Sequence, residues 1–333
     1  MYEFASGVIN VWEKKVLSRN DQERMLTAPD KASSFMVLFD TDLGELASNT
    51  DDIESIFEND LCLLKEKLMK VSDDQNQLAS YLFISFDVWN LKMALKEHLL
   101  DDKLLAVEPF VCSLVSYDKL KTRALEVWQK GVLPGDDDLK SVDIGNVYLE
   151  KIISLSRQLL GQSLDVDSVQ IETAVDRAYL KIKQEAAKKI SPFLEELARL
   201  EIDVANLKGL VGHGGSFIEG GNLNIQEAQE LLESREGEIS EENLAKFLEV
   251  LNLSFLIENF IKNKSDEIIL EQGLQAFLSR RVFEKSRATA SGLEKVLAFF
   301  YRKMNSHFNI RLILFAKDNN LPPADIENLL LPV

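Results

Sequence analysis

The chain has 333 residues, of which 46% are apolar and 28% are charged, as is typical of a soluble globular protein of two or three domains. Only two cysteines are present, Cys62 and Cys112, which excludes a disulfide-dense secreted scaffold and favours a reducing compartment. The formal charge of −17 argues against nucleic acid or an anionic membrane as a partner.

The apolar pattern predicts helix along most of the chain, because apolar residues recur at three- and four-residue steps and strand-like alternation is rare. The start, Met1-Tyr2-Glu3-Phe4, does not have the pattern of a signal peptide, and no apolar run approaches the ~18 residues of a membrane span. Helices are expected at 73–99, 172–189 and 293–316, with another starting at Ser240; loops are expected at 131–138, 212–222 and 286–292.

Two predicted helical segments, 78–95 and 293–316, are apolar on more than one face. Such a helix belongs in the middle of a helical assembly, so the polar residues inside it need an explanation. These polar residues follow a repeated pattern, Asp-x-x-Asn-Leu-Lys, with a weaker third copy in which Ser306 takes the place of the Asp. The motif residues are Asp87, Asn90 and Lys92, then Asp203, Asn206 and Lys208, then Asn309.

Asp and Asn three residues apart share a helix face, and a long-period repeat indicates a structure built from similar helical units. One interpretation is that these side chains hydrogen-bond to neighbouring elements and fix their register. Another is that the three copies line a shared surface that binds a partner. Coincidence is the third alternative.

Charge is distributed unevenly along the chain. Residues 1–112 carry 11 basic and 21 acidic side chains, whereas the segment 280–317 carries nine basic and two acidic ones, a net charge of +7. This basic segment is either a solvated face or a docking surface for an acidic partner. The candidate docking residues within it are Arg302, Lys303, Arg311 and Lys317.

The motifs of common enzyme sites are absent from the sequence. It has no Walker A spacing, no Gly-x-Ser-x-Gly, no His-Glu-x-x-His and no Cys-x-x-Cys. The glycines of 212–215 lack the lysine and the preceding strand of a phosphate loop, and the three histidines lie too far apart in sequence to favour a zinc site. We therefore predict no catalytic residue, no metal and no cofactor.

The chain resembles the C subunit of the archaeal and bacterial V-type (A-type) ATP synthases, which is known as the d subunit in eukaryotic vacuolar ATPases. The resemblance is clearest in the third copy, where an apolar run is followed by Asn309-Ile310-Arg311 and then by a Lys before an Asn-Leu-Pro turn. Further segments similar to the family are 38–44, 171–179, 219–223, 297–303 and 316–322. Together they extend over the full length of the chain.

The resemblance implies an all-α protein of three similar helical-bundle units, at 1–112, 113–220 and 221–333, in a pseudo-threefold, funnel-like arrangement. It implies a non-catalytic rotor subunit, a socket that joins the central-shaft subunits to the membrane proteolipid ring and transmits torque. A protein in this role is cytoplasmic and peripheral to the membrane. Two alternatives remain open at this point: a helical-repeat adaptor without a rotor role, and an enzyme whose site the motifs do not reveal.

Overall fold

The computed structural model describes residues 3–71, 77–100, 108–130, 146–161, 166–211, 217–223 and 267–333. All regular secondary structure in these ranges is helical, which confirms the predicted all-α class. The α-helices are α1 (Glu3–Trp12), α2 (Arg19–Thr27), α3 (Lys31–Met36), α4 (Gly44–Ala47), α5 (Ile53–Val71), α6 (Gln77–Leu99), α7 (Tyr117–Lys130), α8 (Val147–Leu160), α9 (Ser168–Ile190), α10 (Pro192–Val211), α11 (Glu267–Ala288), α12 (Leu293–Asp318) and α13 (Pro323–Glu327).

The predicted helices at 73–99 and 293–316 correspond to α6 and α12. Helix α9 begins at Ser168 rather than at Glu172, because the side chain of Asp167 accepts the Gln170 backbone N–H while the Gln170 side chain accepts the Asp167 N–H. This reciprocal capping box starts the helix one turn earlier than the sequence analysis predicted. The helix expected from Ser240, the loop at 131–138 and the glycines at 212–215 lie outside the described residues.

The structure divides into two compact units. The first comprises Met1–Asn76 and Ser240–Val333. Within it α12 packs against α1, α2, α3, α5, α11 and α13, which explains why this helix is apolar on more than one face. A core cluster joins residues near both ends of the chain, among them Leu17, Met25, Leu38, Ile56, Phe57, Ile310, Ile313, Leu314 and Ile326.

The second unit spans Gln77–Ile239 and contains α6–α10. Here α9 packs against α6, α8 and α10, and α6 also packs against α7. The core of this unit is built from apolar positions of α6–α9, including Leu91, Leu95, Leu120, Ile152, Val175 and Ala178. The division into three units at 1–112, 113–220 and 221–333 stays a prediction. None of the described helices is long and apolar enough to cross a membrane.

Candidate functional site: asparagine clasps and a basic helix

The first motif asparagine, Asn90, is completely buried on α6. Its Nδ2 donates a hydrogen bond to the carbonyl oxygen of Phe110 at 3.0 Å, and its Oδ1 accepts the Phe110 backbone N–H at 2.9 Å. One side chain thus satisfies both backbone polar groups of a single residue outside the helix. We call this arrangement an asparagine clasp, and we call residues 108–115 strap 1.

The other two motif asparagines form the same clasp. Asn206 on α10 bonds to both backbone groups of Ile218, at 2.9 and 2.7 Å. Asn309 on α12 bonds to both backbone groups of Leu331, at 2.8 Å each. Residues 217–223 are strap 2 and residues 329–333 are strap 3. The structure therefore gives the three asparagines equivalent hydrogen-bonding partners.

The motif aspartates bind straps 1 and 2 at a second point, closer to the carboxyl end of each strap. Asp87, which is also completely buried, accepts the backbone N–H groups of Leu114 at 3.0 Å and Val115 at 2.9 Å. These are the fourth and fifth residues after the clasped Phe110. A carboxylate that accepts two backbone N–H groups anchors strap 1 at a second point, one turn of α6 away from the asparagine.

Strap 2 is held in the same register. Asp203 accepts the backbone N–H of Asn222 at 2.8 Å and that of Leu223 at 3.2 Å, again the fourth and fifth residues after the clasped Ile218. Burial raises the pKa of Asp203, against the lowering effect of the hydrogen bonds from Leu223 and Asn222. The bonds therefore offset part of the cost of removing this carboxylate from water.

Strap 3 lacks the aspartate and uses a second asparagine instead. Ser306 stands at the aspartate position, and its buried Oγ has no hydrogen-bond partner in the described part of the chain. Asn305, one residue earlier, donates to the carbonyl oxygen of Pro332 at 2.6 Å and to Ser279 Oγ at 3.0 Å. Asn305 was not predicted as a site residue, because it lies outside the motif spacing.

The two glycines of strap 2 are required by this geometry. Gly220 has a φ of +108°, and a Cβ at Gly221 would lie 2.1 Å from Oδ1 of Asp203. In strap 1 the corresponding positions are Cys112 and Ser113, and the Ser113 hydroxyl instead donates within the strap, to the carbonyl oxygens of Phe110 and Val115. Strap 1 thus keeps both of its anchors with non-glycine residues at these positions, so the two glycines are specific to strap 2.

The motif lysines are placed differently from one another. Lys92 is mostly buried and forms an ion pair with Asp176 of α9 at 2.6 Å, which ties α6 to α9. Lys208 is exposed near the end of α10. The aspartate and asparagine of the first two motifs therefore have a common arrangement, whereas their lysines differ in burial.

The basic helix α12 carries the four candidate docking residues, and the structure places them differently. Arg302 pairs with Glu13 at 3.0 Å, and its guanidinium lies over the Phe283 ring. Arg311 forms a bidentate pair with Glu54, at 2.7 and 2.6 Å, with about half of its side chain exposed. Their docking roles stay predictions.

Lys317 and Lys303 are engaged more deeply. The Lys317 ammonium donates to the carbonyl oxygens of Leu26 and Ala28, at 2.6 and 2.5 Å, and so caps the carboxyl end of α2. Lys303 is only 2% exposed, and its ammonium contacts both Asp42 and Asp60, at 2.8 and 2.6 Å. Its burial gives Lys303 a structural explanation that the sequence did not indicate, whereas docking through either lysine stays a prediction.

The residues that the sequence analysis missed here are Asp42, Asp60 and His307. Asp60 lies on the buried stripe of α5 with Ile56, Phe57, Leu61 and Leu64. A carboxylate at an apolar helical position was the available signal. Among the described residues, no group of three His, Cys, Asp or Glu side chains is arranged to hold a metal ion.

The arrangement is suited to holding segments in place. Each clasp asparagine bonds to backbone groups of its own unit, and the ion pairs of α12 connect it to other segments of the first unit.

Comparison with known proteins gives no match to a curated protein. The chain does match the family described as the ATP synthase (C/AC39) subunit, over residues 5–329. The chain therefore belongs to the ATP synthase (C/AC39) subunit family, as the resemblance in its third motif copy predicted.

Proposed function

We propose that this protein is a non-catalytic rotor subunit of a V-type (A-type) ATPase or ATP synthase. In this role it is the socket between the central-shaft subunits and the membrane proteolipid ring, and it is peripheral to the membrane. It transmits torque and takes no part in ATP chemistry. The observation that carries the proposal is the family match, which extends over residues 5–329 of the 333-residue chain.

The clasps support a mechanical role. A part that transmits torque needs its non-helical segments fixed to its helices, because a loosely held segment deforms under load. Straps 1, 2 and 3 are each fixed by at least one asparagine that bonds to both polar groups of a backbone residue. Bonds from a buried, packed helix restrict the strap more than bonds to water do.

The three equivalent clasps also support the proposed repeat. Three units at 1–112, 113–220 and 221–333 each place one clasp asparagine in the carboxyl-terminal half of a long helix: Asn90 on α6, Asn206 on α10 and Asn309 on α12. The pseudo-threefold, funnel-like arrangement is part of the proposal. An experimental structure of the assembled complex tests it through superposition of the three clasps with their helices.

The direct test is reconstitution. Tagged central-shaft subunits from the same source should retain the full chain on affinity resin, and membranes that contain the ring and the ATPase head should pump ions only after the chain is added. ATP hydrolysis by the detached head should not require the chain. Retention by the shaft without an effect on pumping would leave only an adaptor role, and the absence of both would overturn the proposal.

A further inference from the structure

A histidine is buried against two charged side chains in the first unit. His307 of α12 is 5% exposed, and its Nε2 lies 2.6 Å from Oδ2 of Asp60 on α5. The same Asp60 oxygen lies 2.6 Å from the ammonium of Lys303. The ring of Phe57 stacks on the imidazole with a centroid distance of 4.3 Å. The imidazole is therefore largely shielded from water.

The protonation state of His307 follows from its neighbour. The charge of Lys303 and the hydrogen bond from His307 keep Asp60 ionised, and an ionised carboxylate only accepts hydrogen bonds. Nε2 must therefore carry the proton that it shares with Asp60. A second proton has to go to Nδ1, which would create a buried imidazolium close to the Lys303 ammonium.

The other charged groups around the imidazole relieve this conflict only in part, because the charge of Asp42 also favours the protonated ring. Asp42, from the turn before α4, contacts the Lys303 ammonium. Glu54 of α5 accepts hydrogen bonds from Arg311 of α12, whose guanidinium lies 5.0 Å from the Phe57 ring centroid. The positive charge of Lys67 stabilises the ionised form of Asp42. Asp42 and Glu54 are thus already engaged by basic side chains.

We propose that His307 is a built-in acid sensor of the first unit: uptake of a proton on its buried imidazole loosens α12 from α5. Burial and the repulsion of Lys303 lower the pKa of His307, against the raising effects of Asp60 and Asp42. The closed unit then binds the second proton more weakly than the opened or unfolded chain does. As the pH falls below the ordinary histidine pKa of about 6.5, the equilibrium shifts toward the opened form, by up to about tenfold per pH unit.

The first experiment measures the titration of His307 directly in the full chain. The ring signals of 13C-labelled histidine are followed by NMR from pH 8 to 5, in the folded protein and in the same protein unfolded in urea. Signals are assigned with His98→Gln and His213→Gln variants, so that the remaining signal is that of His307. In the folded protein His307 should titrate at a lower pH than in the unfolded chain. Titration at the same or a higher pH would overturn the proposal.

The second experiment measures the opening. Amide hydrogen exchange of α5 and α12 is compared at pH 7.5 and 5.5, after correction for the intrinsic pH dependence of exchange. The wild type and the matched control His98→Gln, which changes an exposed histidine, should lose protection on acidification by up to about tenfold. In His307→Gln the amide still donates to Asp60 but does not titrate, so its protection should change much less. An equal loss in His307→Gln would show that another group is the sensor.

If His307→Gln does not fold, the wild-type titration still decides the question. Neither measurement requires other subunits, so failure here is distinguishable from failure of the proposed rotor role. A sensor of this kind would make the stability of the first unit depend on the acidity of its surroundings in the range in which histidine titrates.

Discussion

Each clasp asparagine satisfies two backbone groups at once, so its removal leaves both without a partner. In Asn206→Ala, the N–H and the carbonyl of Ile218 lose their bonds to α10. A buried unsatisfied polar group costs about 1–3 kcal/mol, which should lower the melting temperature by several degrees. Thermal unfolding followed by circular dichroism measures this change.

The matched control for this substitution is Asn59→Ala. Asn59 is exposed on α5, and its amide donates to the Ser55 carbonyl within the same helix. Its removal should change stability by no more than about 0.5 kcal/mol. If Asn206→Ala melts like the wild type but no longer binds the central shaft, the motif is a docking surface and our structural interpretation is wrong.

The buried carboxylate of Asp60 should make the first unit sensitive to strong acid. Burial alone would raise its pKa, but the charge of Lys303 and the hydrogen bond from His307 lower the pKa to about 2. A carboxyl group with a lowered folded-state pKa stabilises the fold at pH values above its unfolded pKa of 3.8. That stabilisation, about 2 kcal/mol, is lost as the pH falls through about 2.

Urea unfolding at pH values from 5 to 2 measures this loss. The free energy of unfolding should fall by about 2 kcal/mol less in Asp60→Asn than in the wild type, because the amide does not titrate. Parallel curves for the two proteins would mean that Asp60 is not held ionised by Lys303 and His307.

Strap 2 depends on the absence of a side chain at Gly221. The Cβ of an alanine there would lie 2.1 Å from Oδ1 of Asp203, the atom that accepts the Asn222 and Leu223 N–H groups. Gly221→Ala should therefore push the carboxylate away from the strap and destabilise the second unit by about 1–3 kcal/mol. Urea denaturation measures this change.

Gly7→Ala is the opposite case. Gly7 is exposed within α1, and no atom lies within 4 Å of a Cβ added there. Alanine is the better helix former by about 0.5–1 kcal/mol, so this variant should be slightly more stable than the wild type. If Gly221→Ala were as stable as Gly7→Ala, Asp203 would not be what holds strap 2.

The helices and the straps differ in how far the sequence predicts them. Helices α6 and α12 can be predicted from runs of apolar residues on more than one face. The start of α9 could also have been predicted, because Asp167 and Gln170 have the spacing of a capping box. The asparagine positions were predicted by their repetition. Their partners were not, because the clasped residue lies 20, 12 or 22 positions after the asparagine, and no fixed spacing marks it.

The charge pattern of the whole chain is partly explained inside the first unit. The sequence pairs an acidic first third with a basic segment at 280–317, and docking to an acidic partner was one interpretation. In the structure, Arg302, Lys303 and Arg311 all pair with acids from the first 60 residues. Attraction within the unit accounts for these three cations. Docking is then a second role of these residues, and it has to be tested with substitutions that do not destabilise the first unit.

Arg311 offers that test, because its pair with Glu54 is half-exposed and such pairs contribute about 0–1 kcal/mol to stability. In the double variant Arg311→Gln with Glu54→Gln, the net charge is unchanged and little stability should be lost. Charge reversal at Lys303 is unsuitable, because it would place a third carboxylate beside Asp42 and Asp60.

If Arg311 docks the shaft, the double variant should be retained less by tagged central-shaft subunits than the wild type, and the difference should shrink as salt is raised. The control Glu54→Gln frees Arg311 from its partner, so it should bind at least as well as the wild type. Circular dichroism should show that all three proteins are folded at the temperature of the assay. Equal retention of the double variant and the wild type at low salt would show that Arg311 serves only to hold α12 against α5.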